Sequence, residues 1–362
     1  MEPFKFDSSV GSPFQGGVVI NGYNSFRWTE RYRGTGEFEI EAPLSSGLVQ
    51  LLPLGTFISH IDTLEVMIVE DHQIKEDKDK DPTLRITGRG LDSAFEQRIV
   101  GSNLAYNDPP APGTEYKLVA AASLGVQIKK LIDDHILAAN LADQNEELPY
   151  LATFNTVPAV AAVERIVKRQ TLYKAVNELL EVGDYGIKID RQTSGIVNLT
   201  VHAGIDRSTI VTFAWVVGEL DAAEYLWSSR KRKNTAYVKG RFLEEFVYGP
   251  QSKWNRRVLL VDGSDLDDYL DTAAVANANA AVIRQKMATR GAEALEQQND
   301  INMAQVEVSA YNQWKYRVDY NIGDVVSVSG NYGAVALRRV TEYTEIEDEK
   351  GETGHPTLEA LT

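Results

Sequence analysis

The stretch of sequence that decides the fold runs from Gly22 to Pro43 and reads GYNSFRWTERYRGTGEFEIEAP. Near its end, Phe38 and Ile40 alternate with three glutamates. Such alternation is typical of a half-buried antiparallel strand whose charged face meets water or a partner. Turn residues at Gly34–Gly36 divide the stretch, so it predicts a β-hairpin with Phe38 and Ile40 in the core.

Composition limits the class of protein. The chain has 362 residues, enough for two to four domains with buried cores. Hydrophobic residues make up 43% of it, which is typical of a globular protein rather than a disordered one. There is no cysteine, and this excludes a disulfide scaffold, thiol catalysis and zinc–thiolate sites.

Charge and hydropathy limit the partners. A net charge of -15 argues against a general nucleic-acid binder, although an acidic surface would let nucleic acid pass without trapping it. No apolar run reaches about 18 residues, and Met1–Pro13 lacks the apolar segment of a signal peptide. We therefore expect no membrane insertion, synthesis in the cytoplasm, and release by lysis or inside a larger particle.

Beyond the hairpin, the pattern changes from β to α/β, back to β, then to helix and again to β. Short strands separated by turns predict a small barrel or sandwich in the first block, with the polar run Asp71–Asp81 as a hairpin tip. A proline-rich loop over 107–113 marks a boundary. The two β blocks are similar in size, which permits two related barrels. Further predicted elements are a short helix over Leu91–Val100, a helical region over Tyr116–Leu141 broken near 123–125, a helix over Thr171–Val182, a hairpin of Tyr185–Asp190 and Gly195–His202, and a long helix over Leu270–Gln297.

Three motifs imitate ligand sites. The run Asp77–Asp81 begins like a calcium loop, but Pro82 and Gly88 stand where that loop needs a glycine and a bidentate glutamate. Gly88–Gly90 lacks the third glycine of a phosphate-binding loop, so a strand-to-helix turn explains it better. Asp133–His135 holds neighbours that point in different directions on a helix, which favours a solvated helix face over a metal site.

No constellation of residues requires catalysis. None of the five histidines has metal-chelating spacing, and there is no Gly-x-Ser-x-Gly motif. The basic run Arg230–Lys233, with Trp227 nearby, could contact nucleic acid or an acidic partner, and a protein interface or solvated loop is the favoured interpretation. We therefore predict no catalytic, cofactor-binding or metal-binding residues, no cofactor, and no enzymatic activity.

Five motifs in order carry a resemblance to a known family. The family is that of the phage tail hub, a baseplate-hub or tail-tip protein of long-tailed phages (a siphovirus hub-like protein). The motifs are Trp28, Tyr32, Gly36–Ile40 and Pro43; Gly88–Leu91 with Arg98; Gly204–Ser208 with Lys233, Asn234 and Gly240; Arg256, Arg257, Val261, Asp262 and Asp265; and Tyr320–Val326.

The resemblance implies an α+β, mainly β fold. It implies two small antiparallel β-barrel, tail-tube-like domains with an α/β insert and a helix-containing insert. The implied units are a first barrel over 14–98 plus 204–240, an α/β insert over 99–203, a second barrel over 241–262 plus 301–362, and a helical insert over 263–300.

The resemblance also implies a function. Three subunits with two barrels each would form a pseudo-hexameric ring that adapts the six-fold tail tube to three-fold tip components and lines part of the DNA channel. Implied partners are the chain itself as a homotrimer, a distal tail protein or tail tube ring, the tape measure protein, and receptor-binding tip proteins, with DNA only in transit. The implied location is the virion, at the phage tail tip, after assembly in the host cytoplasm.

One alternative comes from a different class of protein. It is a tail-associated cell-wall hydrolase or a carbohydrate-binding receptor-recognition protein. Its discriminating feature would be a catalytic cleft or a clustered aromatic groove. Neither is visible in the sequence.

Overall fold

The computed structural model describes most of the chain. The described residues are 1–7, 13–78, 80–101, 117–118, 123–137, 147–153, 165–167, 169–230, 232–250, 253–267, 280–296, 301–310, 312–330 and 335–361. The predicted loop over 107–113 lies outside these ranges.

Strands dominate the described part of the chain, and the predicted mainly β fold class is confirmed. The strands are β1 Pro3–Lys5, β2 Val18–Val19, β3 Ser25–Arg31, β4 Glu37–Pro43, β5 Phe57–His60, β6 Met67–Asp77, β7 Lys80–Gly90, β8 Lys117–Leu118, β9 Leu151–Thr153, β10 Arg165–Ile166, β11 Gly186–Arg191, β12 Val197–His202, β13 Thr212–Ala214, β14 Leu220–Ser228, β15 Thr235–Lys239, β16 Glu244–Tyr248, β17 Val258–Asp262, β18 Ile301–Val308, β19 Val325–Ser329, β20 Val335–Asp348 and β21 Gly351–Ala360. The α-helices are α1 Leu48–Leu51, α2 Leu124–Ile136, α3 Leu172–Gly183 and α4 Ala280–Glu296.

One sheet of 11 strands joins the two ends of the chain. Its order is β13-β19-β20-β3-β4-β7-β6-β5-β1-β2, with β21 paired to β20 on the other edge of that strand. The first part of β20, Val335–Arg339, pairs with β19, and its second part, Glu342–Glu347, pairs with β3. The strand β20 is therefore shared by an N-terminal and a C-terminal β unit. Closure of either unit into a barrel stays a prediction.

The N-terminal unit has the core that the hairpin predicts. Phe38 and Ile40 are fully buried, and Phe26 and Trp28 from the facing strand β3 pack with them. On the other face of β4, the glutamates are exposed or half-buried. Gly88 is required where β7 crosses this core, because a Cβ there would lie 1.9 Å from the carbonyl oxygen of Ile68. The alternation thus fixed the strand register correctly.

The C-terminal unit has its own core, and it takes in a strand that the sequence pattern places with the first barrel. Thr212–Ala214 pairs in parallel with β19, and Phe213 packs on Tyr320 and Val326. The grouping of 204–240 with the first barrel is therefore wrong for β13. The pattern of a short strand predicts that it pairs, but not which distant strand it pairs with.

A separate two-layer unit contains the next strands. The sheet order is β16-β15-β17, and α4 covers one face of it through Ile283 and Met287. The assignment of 241–262 to the second barrel is corrected by this pairing, since among the described strands β16 and β17 pair with β15 alone. The predicted long helix is described over Ala280–Glu296, and its first part, 270–279, lies outside the described residues.

The insert over 99–203 combines helices and a small sheet. Ser123 accepts a hydrogen bond from the backbone N–H of Val126 and so caps α2. The helix therefore begins at the predicted break, and the prediction of helix from Tyr116 is wrong for Lys117–Leu118, which form β8. Helix α3 and the β11–β12 hairpin lie where the sequence predicts them. The residues predicted as helix over Leu91–Val100 form a 3-10 helix that ends at Gln97.

The polar run Asp71–Asp81 is mostly strand and not a tip. Its first seven residues extend β6, which pairs with β7 as far as Asp77 and Lys80. The exposed side chains made it resemble a loop, but backbone pairing needs no apolar side chain at a solvated hairpin end.

Substitution of Phe38 by alanine should lower the free energy of unfolding by about 3–5 kcal/mol, because it opens a cavity in a fully buried aromatic cluster. Urea denaturation followed by tryptophan fluorescence measures this. Glu41→Ala, on the exposed face of the same strand, is the matched control and should change it by less than about 0.5 kcal/mol. Equal effects of the two substitutions would contradict the strand register.

Candidate functional site

A buried ionic cluster, here called the joint, lies where the two β units share β20. Glu30 at the end of β3 is 1% exposed. Its carboxylate accepts hydrogen bonds from Arg317 Nη2 at 2.7 Å and from Tyr316 Oη at 2.5 Å. Arg317 also donates to both carboxylate oxygens of Glu345 in β20, at 2.9 and 3.1 Å. The joint therefore ties β3, β20 and the loop before β19 together.

Two further hydrogen bonds complete the coordination of Glu30. Thr63 Oγ1 donates to Glu30 Oε1 at 2.5 Å, and the indole N–H of Trp28 donates to the same oxygen at 3.3 Å. Burial alone would raise the pKa of Glu30, but Arg317 and the hydrogen bonds from Thr63 and Tyr316 outweigh it and lower that pKa to about 2. The carboxylate is therefore held ionised inside the protein.

His60 borders the joint as a neutral side chain. It is fully buried, and its Nε2 lies 3.3 Å from Glu345 Oε2. Burial lowers the pKa of His60 to about 3, and the nearby positive charge of Arg317 adds to the effect. A charged imidazole at this position would oppose the Arg317 guanidinium.

The backbone at Arg317 is held in an unfavourable conformation. Its φ is +66°, in the left-handed region that side chains other than glycine seldom adopt. Such a conformation costs on the order of 1–3 kcal/mol and persists only where surrounding contacts enforce it. Here the contacts of Arg317 with Glu30 and Glu345 enforce it.

A second set of contacts fixes the insert to both β units. The carboxylate of Asp184, which follows α3, forms ion pairs with Arg33 and Arg339. Tyr32 Oη donates to the carbonyl oxygen of Asp184 at 2.7 Å, and Arg339 Nη1 donates to that of Gly323 at 2.5 Å. Residues from the insert, from the segment after β3 and from β20 therefore converge at Asp184.

Two motifs that lie far apart in the sequence meet in the structure. Asp324 accepts hydrogen bonds from the backbone N–H of Ile205 at 2.8 Å and from Arg207 Nε at 2.7 Å. Gly204 is necessary for this contact, since a Cβ there would lie 1.7 Å from the carbonyl oxygen of Gly323. Both motifs serve to join the end of the insert to the C-terminal unit.

Two of the motifs that imitate ligand sites have structural roles. Gly88–Gly90 leads from β7 directly into the 3-10 helix, as a strand-to-helix turn. His135 is buried, so the prediction of a solvated helix face is wrong for this residue. Its Nε2 accepts a hydrogen bond from the backbone N–H of Gly101 at 2.8 Å, and its Nδ1 bonds to the carbonyl oxygen of Leu131 at 2.7 Å. Among the described residues, no group of three or more acidic or histidine side chains could hold a metal ion. Asp79 and Lys231 lie outside the described residues.

Sequence reasoning missed two features. The joint had a signal, because Glu30 continues the inward alternation of Phe26 and Trp28 in β3, where an acid needs a buried partner. The second feature is a cluster of aromatic side chains, Tyr237 and Phe246 among them, on the open face of β16-β15-β17. The alternation in β16 could have revealed it.

Within the described part of the chain, no helix is both long and apolar enough to cross a membrane.

Comparisons with known proteins give the following matches. A family model described as Siphovirus ReqiPepy6 Gp37-like protein matches residues 14–358. Among solved structures, the tail protein from Neisseria meningitidis MC58 is similar with a TM-score of 0.57 and 13% identity, over 96% of this chain and 94% of that chain. The prophage tail protein gp18 from Listeria monocytogenes EGD-e is similar with a TM-score of 0.56 and 11% identity, over 100% of this chain and 95% of that chain. The 43 kDa tail protein of prophage MuSo2 from Shewanella oneidensis is similar with a TM-score of 0.53 and 15% identity, over 99% of this chain and 97% of that chain. No curated protein matches the sequence.

Replacement of Glu30 by glutamine should lower the free energy of unfolding by about 3–5 kcal/mol, because it removes the buried charge that compensates the half-buried Arg317. Chemical denaturation at pH 7 measures this. Glu37→Gln breaks an exposed ion pair with Arg31 and is the control, with an expected change below about 1 kcal/mol. A loss no larger than that of the control would show that Glu345 alone balances Arg317.

Exclusion of a proton from buried His60 should contribute a loss of stability as pH falls from about 6.5 to about 3. The pKa of His60 is lowered from 6.5 to about 3, so the unfolded chain binds a proton in this range that the folded chain excludes, and stability falls as pH falls. Burial raises the pKa of Asp92 from 3.8 to about 6 and also raises the pKa values of Glu65, Asp190 and Glu345. These carboxyls act with the opposite sign, so the His60 contribution is measured against a variant. Urea midpoints at a series of pH values should show a shallower slope for His60→Gln than for the wild type. Parallel slopes would contradict the burial of a neutral histidine.

Proposed function

The chain belongs to the family of Siphovirus ReqiPepy6 Gp37-like proteins, and we propose that it is a phage tail protein of the siphovirus type and the hub of the tail tip. In this role three copies form a ring that adapts a six-fold tail tube to three-fold tip components. The observation that carries the proposal is the shared strand β20, which fixes two β units side by side in one subunit.

The arithmetic of symmetry supports a ring of three. A subunit with two β units placed in a fixed relation presents two tube-like elements, and three-fold rotation of such a subunit produces six. The joint makes that relation rigid, since Glu30, Arg317 and Glu345 span both units with charged hydrogen bonds. A flexible link between the units would not hold six elements in register with a tube.

Charge supports a channel for DNA in transit. The chain carries a net charge of -15. An acidic lumen would repel phosphate, so DNA would slide through without being held. The proposed neighbours are a distal tail protein or tail tube ring on one side, the tape measure protein, and receptor-binding proteins at the tip. We propose that the chain, as a tail protein, is a component of the virion and is assembled in the host cytoplasm.

The proposed role is that of an adaptor without enzymatic activity. The ionised carboxylate of Glu30 is fully buried and held by Thr63, Tyr316 and Arg317, so the best-formed polar cluster of the described residues is occupied by internal contacts. Purified protein should release no dye from labelled host cell walls over several hours. Release that scales with protein and is lost on substitution of one acidic residue would support the hydrolase alternative instead.

Analytical ultracentrifugation at micromolar concentration should give a mass near three times 40.2 kDa, and negative-stain images should show rings with a central opening. The reason is that three subunits related by a three-fold axis, each with two β units, form a closed ring of six β units. A stable two-fold dimer would contradict the proposal. A protein that stays monomeric at all concentrations, and also in the presence of purified tail tube rings, would contradict it equally.

A further inference from the structure

The open face of the sheet β16-β15-β17, here called the aromatic face, is apolar without a cover among the described residues. Helix α4 covers the other face of this sheet, where Ala236 and Val238 are fully buried. On the open face, Leu260 is 68% exposed and Tyr248 is 59% exposed. A solvated sheet face normally carries polar side chains. The face therefore has the composition of an interaction surface.

The loop between β16 and β17 also carries exposed apolar surface. Trp254 in that loop is 99% exposed, and Phe246 and Val258 lie partly exposed on the face itself. Contiguous exposed apolar residues on one side of a domain mark a binding site far more often than scattered ones do. Tyr, Trp and Arg are also the residues that dominate the binding energy of protein interfaces.

The ring geometry identifies the kind of partner. Tyr237 and Phe246 stack with centroids 4.6 Å apart and an angle of 22°, and Phe246 and Tyr248 with centroids 5.9 Å apart and an angle of 8°. The guanidinium of Arg256 lies 6.0 Å from the centroid of the Tyr248 ring. Sugars and nucleic-acid bases bind to free ring faces. Because these faces are turned toward one another and toward Arg256, the geometry favours an apolar protein surface.

Charge is segregated along the sequence in the segment that contains the aromatic face. Residues 230–257 contain nine lysines and arginines and two glutamates, so their net charge is +7. The whole chain has a net charge of -15, so the remaining residues together have a net charge of -22. Lys253 and Arg256 are exposed in the loop beside the apolar side chains. A partner that fits must place apolar contacts at the centre and carboxylates at the rim.

We propose that the aromatic face docks onto the acidic surface of a second copy of this chain. The remainder of each copy has a formal charge of -22, opposite in sign to the +7 segment of its neighbour, and unlike charges favour this contact. The contact joins two different surfaces, so it is heterologous and closes by rotation into a ring. This inference rests on the self-assembly in the proposed function, and it assigns one subunit contact of that assembly.

The test combines substitutions with photo-crosslinking in the full chain. Tyr248→Glu with Leu260→Glu places two charges on the aromatic face, and both positions are exposed enough to leave the fold intact. Ile210→Glu with Val216→Glu is the matched control, at positions 65% and 81% exposed in the C-terminal unit. Thermal melts of both variants check folding. Sedimentation should show self-association weakened at least about tenfold in the first variant and unchanged in the control.

Crosslinking gives a readout that does not depend on folding of a variant. p-Benzoylphenylalanine at position 248 should form intermolecular crosslinks to acidic segments of a second copy, while the same group at position 216 should form none. Raising the salt from about 0.05 M to about 0.5 M should weaken association, because the complementary charges are screened.

The outcomes separate the two proposals. An assembly that is unaffected by the charges at 248 and 260, with no crosslinks between copies, overturns this inference and leaves the tail-hub proposal standing; the face then belongs to another tail protein. Equal dissociation of both double variants also overturns it. A chain that never self-associates overturns both proposals.

Discussion

A buried carboxylate must keep its counter-charge, and the arrangement of this protein follows from that constraint. Removing Glu30 from water would cost several kcal/mol if it were left unpaired. Arg317, Tyr316 and Thr63 approach from other parts of the chain to compensate it. Those three residues are fixed only when β3, the loop before β19 and the segment after β5 occupy their native places. The joint therefore stabilises the native placement of these segments, because any other placement would leave the carboxylate of Glu30 without its partners.

The shared strand β20 turns this local constraint into an architecture. Its first part belongs to the C-terminal core through the pairing with β19, and its second part extends the N-terminal sheet beside β3. Glu345 lies in that second part and bonds Arg317, while Arg339 lies in the first part and pairs with Asp184 of the insert. The strand β20 thus forms one ion pair with the loop before β19, through Glu345, and one with the insert, through Arg339. Bending between the units would break charged hydrogen bonds in both places.

Local patterns predicted what depends on local residues. The alternation around Phe38 and Ile40 predicted their burial, and the apolar stripe over 171–182 predicted α3, because side-chain periodicity follows backbone geometry. Patterns could not predict that Thr212–Ala214 pairs with β19, since a strand edge bonds to any strand of suitable register. The sequence pattern failed to predict the burial of His135 for a related reason. A titratable residue next to two aspartates resembles a solvated face unless its distant partner, Gly101, is known.

Polar and apolar contacts divide their tasks in this molecule. Ion pairs with hydrogen bonds are directional, so they specify orientation, and here they lie between the units of one chain at Glu30 and Asp184. Apolar surface is non-directional, and in the aromatic face it remains exposed at Tyr248 and Leu260. A subunit made rigid by its internal ion pairs loses less conformational entropy when it assembles, because its units are already aligned. Rigidity within the chain therefore strengthens the contacts that the chain can make with its neighbours.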